Sequence, residues 1–327
     1  MSGIFDALPG MEFPVASISS GLDQMWSGAA SEGRPSPPSD DAKAIQVNFV
    51  LHLGLRTDSA DAVRQFETAV RFSRSYPCRV VVLCPLKNDS EAAEIRAKVY
   101  GECSIGKSAD DTRCCEFVML SYPRSARIYL ENQVSVCLST DLPLYYWAHG
   151  FSESARLADY RYLLTTAKRV LIDSATAPAD AITFPWPRPE NVRDLAFARL
   201  LPARQMIGQF LSRYRVEALA KGLKSITLSH GAEVSAEARV LMSWVRERIG
   251  ACGATGETCS IGASPDLAPR AFALGFAYGD RRFFAWNADL ASAHATLDGD
   301  FGSGRMTMPA SIALLPQESA LSEAMFF

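Results

Sequence analysis

The sequence lacks the features that mark several broad classes of protein. It has no apolar run near the roughly 18 residues that a membrane-spanning helix needs, so we expect no membrane partner. Lysine and arginine (33) do not exceed aspartate and glutamate (36), and no basic stripe stands out. We therefore expect no nucleic-acid partner. The first 15 residues lack the apolar core of a secretory signal, which predicts a cytoplasmic protein.

Histidine is scarce, and cysteine is scattered. The four histidines lie far apart, and none is close to a Cys-x-x-Cys pair. Zinc sites need closely spaced ligands of these types, so the sequence predicts no metal and no other cofactor. The eight cysteines form no tight framework, which is typical of reduced thiols in a cytosol.

What the sequence does contain is an alternation of strand-like and helix-like segments. An apolar stretch at 47–55, a helix with Asp58 or Ser59 as its N-cap, and a strand at 79–83 read as a parallel βαβ unit. The same alternation continues to a strand at 169–173. It predicts an α/β domain with a doubly wound, mostly parallel sheet.

A hairpin is appended to this predicted sheet, with arms at 94–104 and 114–121. If its turn is centred on residues 108 and 109, residue numbers that sum to 217 face each other, and Cys103 lies opposite Cys114. Opposed residues have Cβ atoms about 4.5–5.5 Å apart, close to disulfide range. Cys115 should point to the other face. We consider Cys103, Cys114 and Cys115 candidate redox thiols, although reduced neighbours are the expected state in a cytosol.

The turn of this hairpin falls in a segment that matches a nucleotide-binding motif. Residues 101–108 fit G-x-x-x-x-G-K-[ST], and Asp173 could hold the magnesium ion. That motif needs a buried strand before it and a helix after it. Here an amphipathic strand precedes it and a β-rich segment follows closely. We therefore predict that Lys107 is a solvated turn residue and not a phosphate ligand.

Composition also predicts how the chain is divided. Prolines crowd residues 178–189 and mark a boundary. We predict an N-terminal segment and linker at 1–42, the α/β domain at 43–178, and a smaller α+β domain at 179–327 with an antiparallel meander. Within the first segment, Trp26 either anchors a short helix on the body or lies in a disordered tail.

Four residues at strand ends are the candidate ligand or partner contacts. Trp147, His149, Asp173 and Ser174 follow strands that should be parallel, so they should cluster at the carboxyl edge of the sheet. Simpler roles are capping of the core for Trp147, a structural histidine for His149 and a helix cap for Asp173 and Ser174.

Four landmarks in order suggest a family. They are Cys114-Cys115-Glu116 after Cys103, Leu142-Pro143 leading into Trp147, Ile172-Asp173-Ser174, and Asp194-Leu195 through Arg199-Leu200 to Pro202 and Arg204. In their order and spacing they resemble OpcA, the glucose-6-phosphate dehydrogenase assembly protein family.

This resemblance implies a protein that is not an enzyme. Such a protein binds glucose-6-phosphate dehydrogenase and favours its active oligomer, as an allosteric activator in the oxidative pentose phosphate pathway. It adds Arg199 and Arg204 to the candidate partner contacts. Two alternatives stay open: a P-loop-type enzyme that uses Lys107 and Asp173, and a thiol-based redox regulator.

Overall fold

A computed structural model describes residues 3–37, 45–86, 94–105 and 112–327. The chain divides into two compact units, Met1–Leu195 with Leu321–Phe327, and Ala196–Ala320. The boundaries predicted from the sequence lay after residues 42 and 178. In the observed division, the N-terminal segment and the proline-rich stretch both belong to the first unit.

The described residues of the first unit form an eight-stranded sheet. Its strands are β1 Met11–Phe13, β2 Val47–Leu53, β3 Cys78–Pro85, β4 Arg96–Ile105, β5 Thr112–Tyr122, β6 Leu144–His149, β7 Arg169–Ile172 and β8 Val192–Asp194. They lie in the order β1-β4-β5-β3-β2-β6-β7-β8. Antiparallel pairing is confined to β4, which pairs with β1 and β5. The predicted doubly wound, mostly parallel sheet with an appended hairpin is therefore confirmed.

The strand order reverses beside β2. The chain passes from β2 to β3 and β5 on one side, and then returns to β6, β7 and β8 on the other. Beyond the prediction, β1 extends one edge and β8 the other, and β8 follows the proline-rich stretch that was expected to end the domain.

Helices cover both faces of this sheet. They are α1 Ile4–Ala7, α2 Ile18–Ser31, α3 Ser59–Ser75, α4 Arg127–Cys137 and α5 Arg161–Thr166. The side chain of Asp58 caps α3 by accepting a hydrogen bond from the Asp61 amide at 2.7 Å, as the sequence predicted. Phe49 and Phe117 face α3, while Val50 and Val118 pack in the cluster that contains α2, α4 and α5.

The N-terminal helix α2 is anchored by Trp26. This indole is 7% exposed, and its Nε1 donates to Glu116 Oε1 at 3.1 Å. The other Glu116 oxygen accepts two hydrogen bonds from Arg79, at 3.0 and 2.6 Å. Of the two states considered for Trp26, the anchor is the one observed.

The second unit contains a six-stranded sheet in the order β10-β9-β11-β12-β13-β14, as far as the structure describes it. The strands are β9 Leu223–His230, β10 Thr258–Ala263, β11 Ala271–Tyr278, β12 Phe283–Asp289, β13 His294–Asp300 and β14 Met306–Ser311. The helices are α6 Leu195–Arg199 (which starts at the boundary), α7 Leu201–Leu211, α8 Val216–Ala220, α9 Ser235–Ala251 and α10 Gln317–Phe326 (which ends in the first unit). Strands β11 to β14 form the predicted antiparallel meander, and β10 adds a parallel pair with β9.

No helix in the described part of the chain is long and apolar enough to cross a membrane.

Candidate functional site

Three of the four strand-end candidates, His149, Asp173 and Ser174, lie at one edge of the first sheet. Strands β6 and β7 are parallel, with Trp147 opposite Leu171, so His149 and Asp173 both lie at the carboxyl edge. The expected position is thus confirmed for these three residues, whereas Trp147 lies inside β6 and not at its end. A role for these residues in binding stays a prediction.

Trp147 is a core residue. Its side chain is fully buried and stacks on Phe49 with ring centres 6.4 Å apart and planes at 2°. Its indole N–H has no hydrogen-bond partner among the described residues. A side chain in this position offers no surface to a partner protein.

His149 forms an ion-pair geometry with the start of α3. Its Nε2 lies 2.6 Å from Asp61 Oδ2, and Gln65 donates to the other Asp61 oxygen at 2.9 Å. Burial by itself would raise the pKa of Asp61, but the hydrogen bonds from His149 and Gln65 and the charges of His149 and Arg64 lower it. Within the described residues, no serine, threonine or cysteine side chain bonds to His149, so a nucleophile for a catalytic triad is missing.

Asp173 and Ser174 organise a turn after β7. Asp173 Oδ1 accepts from the Ala175 amide at 3.0 Å, and its carbonyl accepts from two further amides. The Ser174 amide donates to Asp194 Oδ1 at 3.0 Å, which ties this turn to the end of β8. The simpler role foreseen for this pair was a helix cap; the segment it stabilises is a turn.

Arg199 and Arg204 belong to the second unit. Arg199 Nη2 lies 2.7 Å from Glu237 Oε1, and both side chains are largely buried. The Arg204 guanidinium lies 3.7 Å from the centre of the Phe197 ring, a cation–π contact. Each arginine therefore has a partner inside its own unit.

The register of the hairpin is the predicted one. Cys103 faces Cys114 in the β4–β5 pair, and their Cα atoms are 4.0 Å apart. The two sulfurs form a disulfide. The expectation of reduced neighbours is therefore corrected, because the cross-strand register brings the two side chains close enough to bond.

Cys115 points to the other face of the hairpin, as expected, and stays a thiol. Its Sγ donates to the Ser73 carbonyl on α3 at 3.3 Å. A hydrogen bond from Cys78 outweighs burial and lowers the pKa of Cys115 to about 7. Burial raises the pKa of Cys78. Because Cys115 is only 3% exposed, its thiolate character is shielded from external reagents.

The nucleotide-like motif has the wrong surroundings. Lys107 itself lies outside the described residues, but the flanking segments are the antiparallel strands β4 and β5. Those strand ends lie at the amino edge of the parallel strands, whereas Asp173 follows the carboxyl edge. Packing explains why a glycine stands at position 101 without any phosphate contact, since a Cβ there would come within 2.5 Å of Met25 and Trp26 side-chain atoms.

A buried polar network is the feature that sequence reasoning missed. His52 is fully buried, with Nδ1 2.7 Å from the Tyr146 hydroxyl and Nε2 2.7 Å from the Tyr122 hydroxyl. The Tyr122 hydroxyl lies 2.8 Å from that of Tyr160. Burial lowers the pKa of His52 to about 3, so the ring is neutral. The one indication of this network in the sequence was a histidine, His52, inside the apolar stretch at 47–55.

Groups of three or more histidine, cysteine or acidic side chains able to hold a metal ion are absent from the described residues.

Comparison with known proteins points to one family. The model for the glucose-6-phosphate dehydrogenase subunit N-terminal domain, of the OpcA assembly type, matches residues 69–207. A "Putative OxPP cycle protein OpcA" of Synechocystis sp. is 24% identical over 181 residues, and one of Nostoc punctiforme is 21% identical over 186. The resemblance to the OpcA family is confirmed.

The match with these OpcA proteins is partial. It covers 54% and 53% of this chain, but only 38% of each relative's length. Among solved structures, glucose-6-phosphate 1-dehydrogenase from Mycobacterium avium shares 10% identity over 86% of each chain, with a TM-score of 0.45. A 3-ketoreductase, KijD10 from Actinomadura kijaniata, covers 85% of this chain and 88% of its own, at 10% identity and a TM-score of 0.41. Neither structural likeness bears on the function of the OpcA-like chain.

Proposed function

We propose that this protein binds glucose-6-phosphate dehydrogenase and favours its active oligomer. It acts as a non-catalytic assembly factor and allosteric activator of the oxidative pentose phosphate pathway, in the cytoplasm. The observation that carries the proposal is the match of residues 69–207 to the OpcA assembly family. This span begins in α3 and includes β3 to β8 of the first sheet.

The start of α3 supports a role without nucleotide chemistry. In dinucleotide-binding sheets, a glycine-rich turn after the first strand brings the pyrophosphate to a helix N-terminus. Here the turn after β2 reads Gly54-Leu55-Arg56-Thr57-Asp58, and the Asp58 carboxylate already occupies the helix N-terminus. Asp61 adds a second carboxylate in the first turn. Both charges repel a phosphate.

An exposed apolar stripe on α4 is the surface that we assign to the dehydrogenase. Ile128, Tyr129 and Val136 are 76%, 59% and 80% exposed. They are spaced by seven and eight residues on one helix, so they share one side of it. Exposed apolar stripes of this kind mark protein-binding surfaces, tyrosine is common among the residues that dominate binding energy, and α4 lies inside the family-matched span.

Activation requires that this surface bind the active oligomer more tightly than the inactive form. Coupling of this kind is commonly about 1–3 kcal/mol, which corresponds to roughly 5–150-fold in affinity. A specific complex should bury about 1,200–2,000 Å². The α4 stripe would be the centre of such an interface.

The test is to mix the pure protein with the dehydrogenase of the same organism. We expect the dehydrogenase to elute earlier in size-exclusion chromatography, and its substrate dependence to change. Absence of both effects would remove the proposal.

A variant pair locates the surface. Ile128→Asp with Val136→Asp should weaken the complex at least tenfold. Val216→Asp is the matched control, because Val216 is 51% exposed on a helix of the second unit. Equal binding by the wild type, the double variant and Val216→Asp would be compatible with the proposed partner but would reject the α4 surface as its binding site.

The two alternatives make different predictions. A P-loop-type enzyme should bind magnesium-ATP and lose this binding on Lys107→Ala. Against this alternative, the ends of β4 and β5 that flank the motif lie at the amino edge of the parallel strands, whereas Asp173 follows the carboxyl edge. A thiol-based regulator has the Cys103–Cys114 bond in its favour. It predicts that dithiothreitol changes activation of the dehydrogenase, and that Cys103→Ser abolishes this sensitivity.

A further inference from the structure

A cavity of about 160 Å³ opens at the carboxyl edge of the first sheet. Its wall is built by Gly54 after β2, Leu86 after β3, Tyr122 at the end of β5, and Phe151 after β6. It lies on the face opposite α3, next to the point where the strand order reverses. Open α/β sheets bind ligands at this kind of position.

The cavity has a basic wall. Arg124, Arg127 and Arg156 belong to its lining, whereas no carboxylate does among the described residues. Arg127 is paired with Asp159. Arg156 is exposed and lies 3.8 Å from Glu153, an ion pair that water weakens. Among the described lining residues, three carry guanidinium groups and none carries a carboxylate, which favours an anionic ligand.

The buried tyrosine network ends in the same cavity. In the described part of the chain, the Tyr146 hydroxyl has one hydrogen-bond partner, His52 Nδ1. A fully buried hydroxyl proton without an acceptor is unfavourable, so Tyr146 donates to Nδ1 and the neutral ring carries its proton on Nε2. The Nε2–H group then donates a hydrogen bond to the Tyr122 oxygen, and the Tyr122 hydroxyl in turn donates to the Tyr160 oxygen.

The last hydroxyl proton in this chain belongs to Tyr160. Its oxygen already accepts from Tyr122, and burial raises its pKa while hydrogen bonds from Tyr122 and from the Arg127 guanidinium lower it. Tyr160 lines the cavity. The core of the sheet thus fixes the direction of the hydrogen bonds so that an O–H donor remains at the cavity wall.

We propose that this cavity binds a small organic phosphate, held by Arg124, Arg156 and the Tyr160 hydroxyl. Three donor groups on two segments, Arg124–Ala126 and Ser154–Tyr160, match the three terminal oxygens of a phosphate monoester, and guanidinium forks suit phosphate geometry. Phe151 and Tyr122 supply an apolar wall for the carbon skeleton. A cavity of this size takes a compact metabolite and not a dinucleotide. The inference is independent of the proposed dehydrogenase partner.

Isothermal titration of the full chain with glycerol phosphate tests the proposal, with inorganic phosphate, glycerol and lactate as parallel probes. We expect saturable binding of glycerol phosphate, weaker binding of phosphate, and none of glycerol. Tighter binding of lactate than of glycerol phosphate would overturn the assignment to phosphate. A titration without saturable binding of either anion would overturn the site.

Variants locate the binding. Arg124→Gln with Arg156→Gln should weaken glycerol phosphate binding at least tenfold, and both side chains are exposed, so the fold should persist. Arg71→Gln on α3, at the other face of the sheet, is the matched control and should bind as the wild type does. Equal binding by the double variant and the control would overturn the proposal.

A second measurement tests the direction of the hydrogen bonds. Nitrogen NMR should find His52 neutral at pH 7 with its proton on Nε2, and Tyr160→Phe should weaken glycerol phosphate several-fold. A proton on Nδ1 would reverse the chain and remove Tyr160 as a donor.

Discussion

His52 and His149 lie at the carboxyl ends of neighbouring parallel strands, within one residue of the last, yet they lie in different chemical environments on the two faces of one sheet. Leu53 of β2 is opposite His149 of β6, so the two histidines are nearly level across the strand pair. His52 is surrounded by tyrosine hydroxyls and is neutral. His149 is 2.6 Å from the Asp61 carboxylate. The comparison shows that the face of the sheet, and not the residue type or its depth, determines what a buried histidine does.

The largest expected effect concerns the α3 face, where packing dominates. Trp147→Ala should lower the free energy of unfolding by about 3–5 kcal/mol, as for other buried aromatic truncations. Urea unfolding measures it. Trp147→Phe keeps a ring against Phe49 and removes an indole N–H that lacks a partner among the described residues, so its loss should be clearly smaller. Equal losses would show that the stacking contact is unimportant.

On the other face, the neutral His52 should make stability depend on pH. The pKa of His52 in the folded protein is about 3, below its ordinary value of 6.5. Between these two values, His52 is protonated in the unfolded chain and neutral in the folded chain. Stability should therefore fall as the pH decreases from 6.5 toward 3, by about 1.4 kcal/mol per pH unit at most.

The control for this dependence is His52→Gln. Its unfolding free energy should be lower at neutral pH but should change less between pH 6.5 and 4.5. An unchanged slope in that interval would mean that His52 is protonated in the folded protein.

The disulfide of the hairpin should add about 2–3 kcal/mol to the free energy of unfolding, the order expected for closing a short loop. The bond joins residues 11 apart in sequence. Cys103→Ser should be destabilised by this amount under oxidising conditions, and should match the wild type when dithiothreitol is present. Mass spectrometry of the unreduced protein checks that the bond forms at all.

The smallest expected effect concerns the Asp61 carboxylate beside His149, whose contribution to stability should depend on pH in a different range from that of His52. The pKa of Asp61 is lower in the folded protein than its ordinary value of 3.8, so its stabilisation is complete above that value and is lost as the pH falls through the folded pKa. Asp61→Asn should lower the free energy of unfolding by about 1 kcal/mol at pH 6 and by less at pH 3. A loss that persists unchanged at pH 3 would point to packing and not to charge.

Local sequence determined much of the scaffold. Apolar β-branched stretches predicted β2 and β3, Asp58 predicted the start of α3, and hairpin arithmetic predicted that Cys103 faces Cys114. These features depend on neighbours close in the chain or on a single turn.

Only the tertiary structure decided which strand-end residues meet. Tyr122 and Tyr146 are 70 and 94 residues from His52, so no local pattern could reveal their network. Trp147 was expected at a ligand edge but lies in the core, because alternate residues of β6 point to opposite faces and α3 covers one of them. Sequence fixes periodicity and turns through short-range sterics, whereas burial and hydrogen-bond partners depend on contacts between distant segments, which exist only once the sheet has formed.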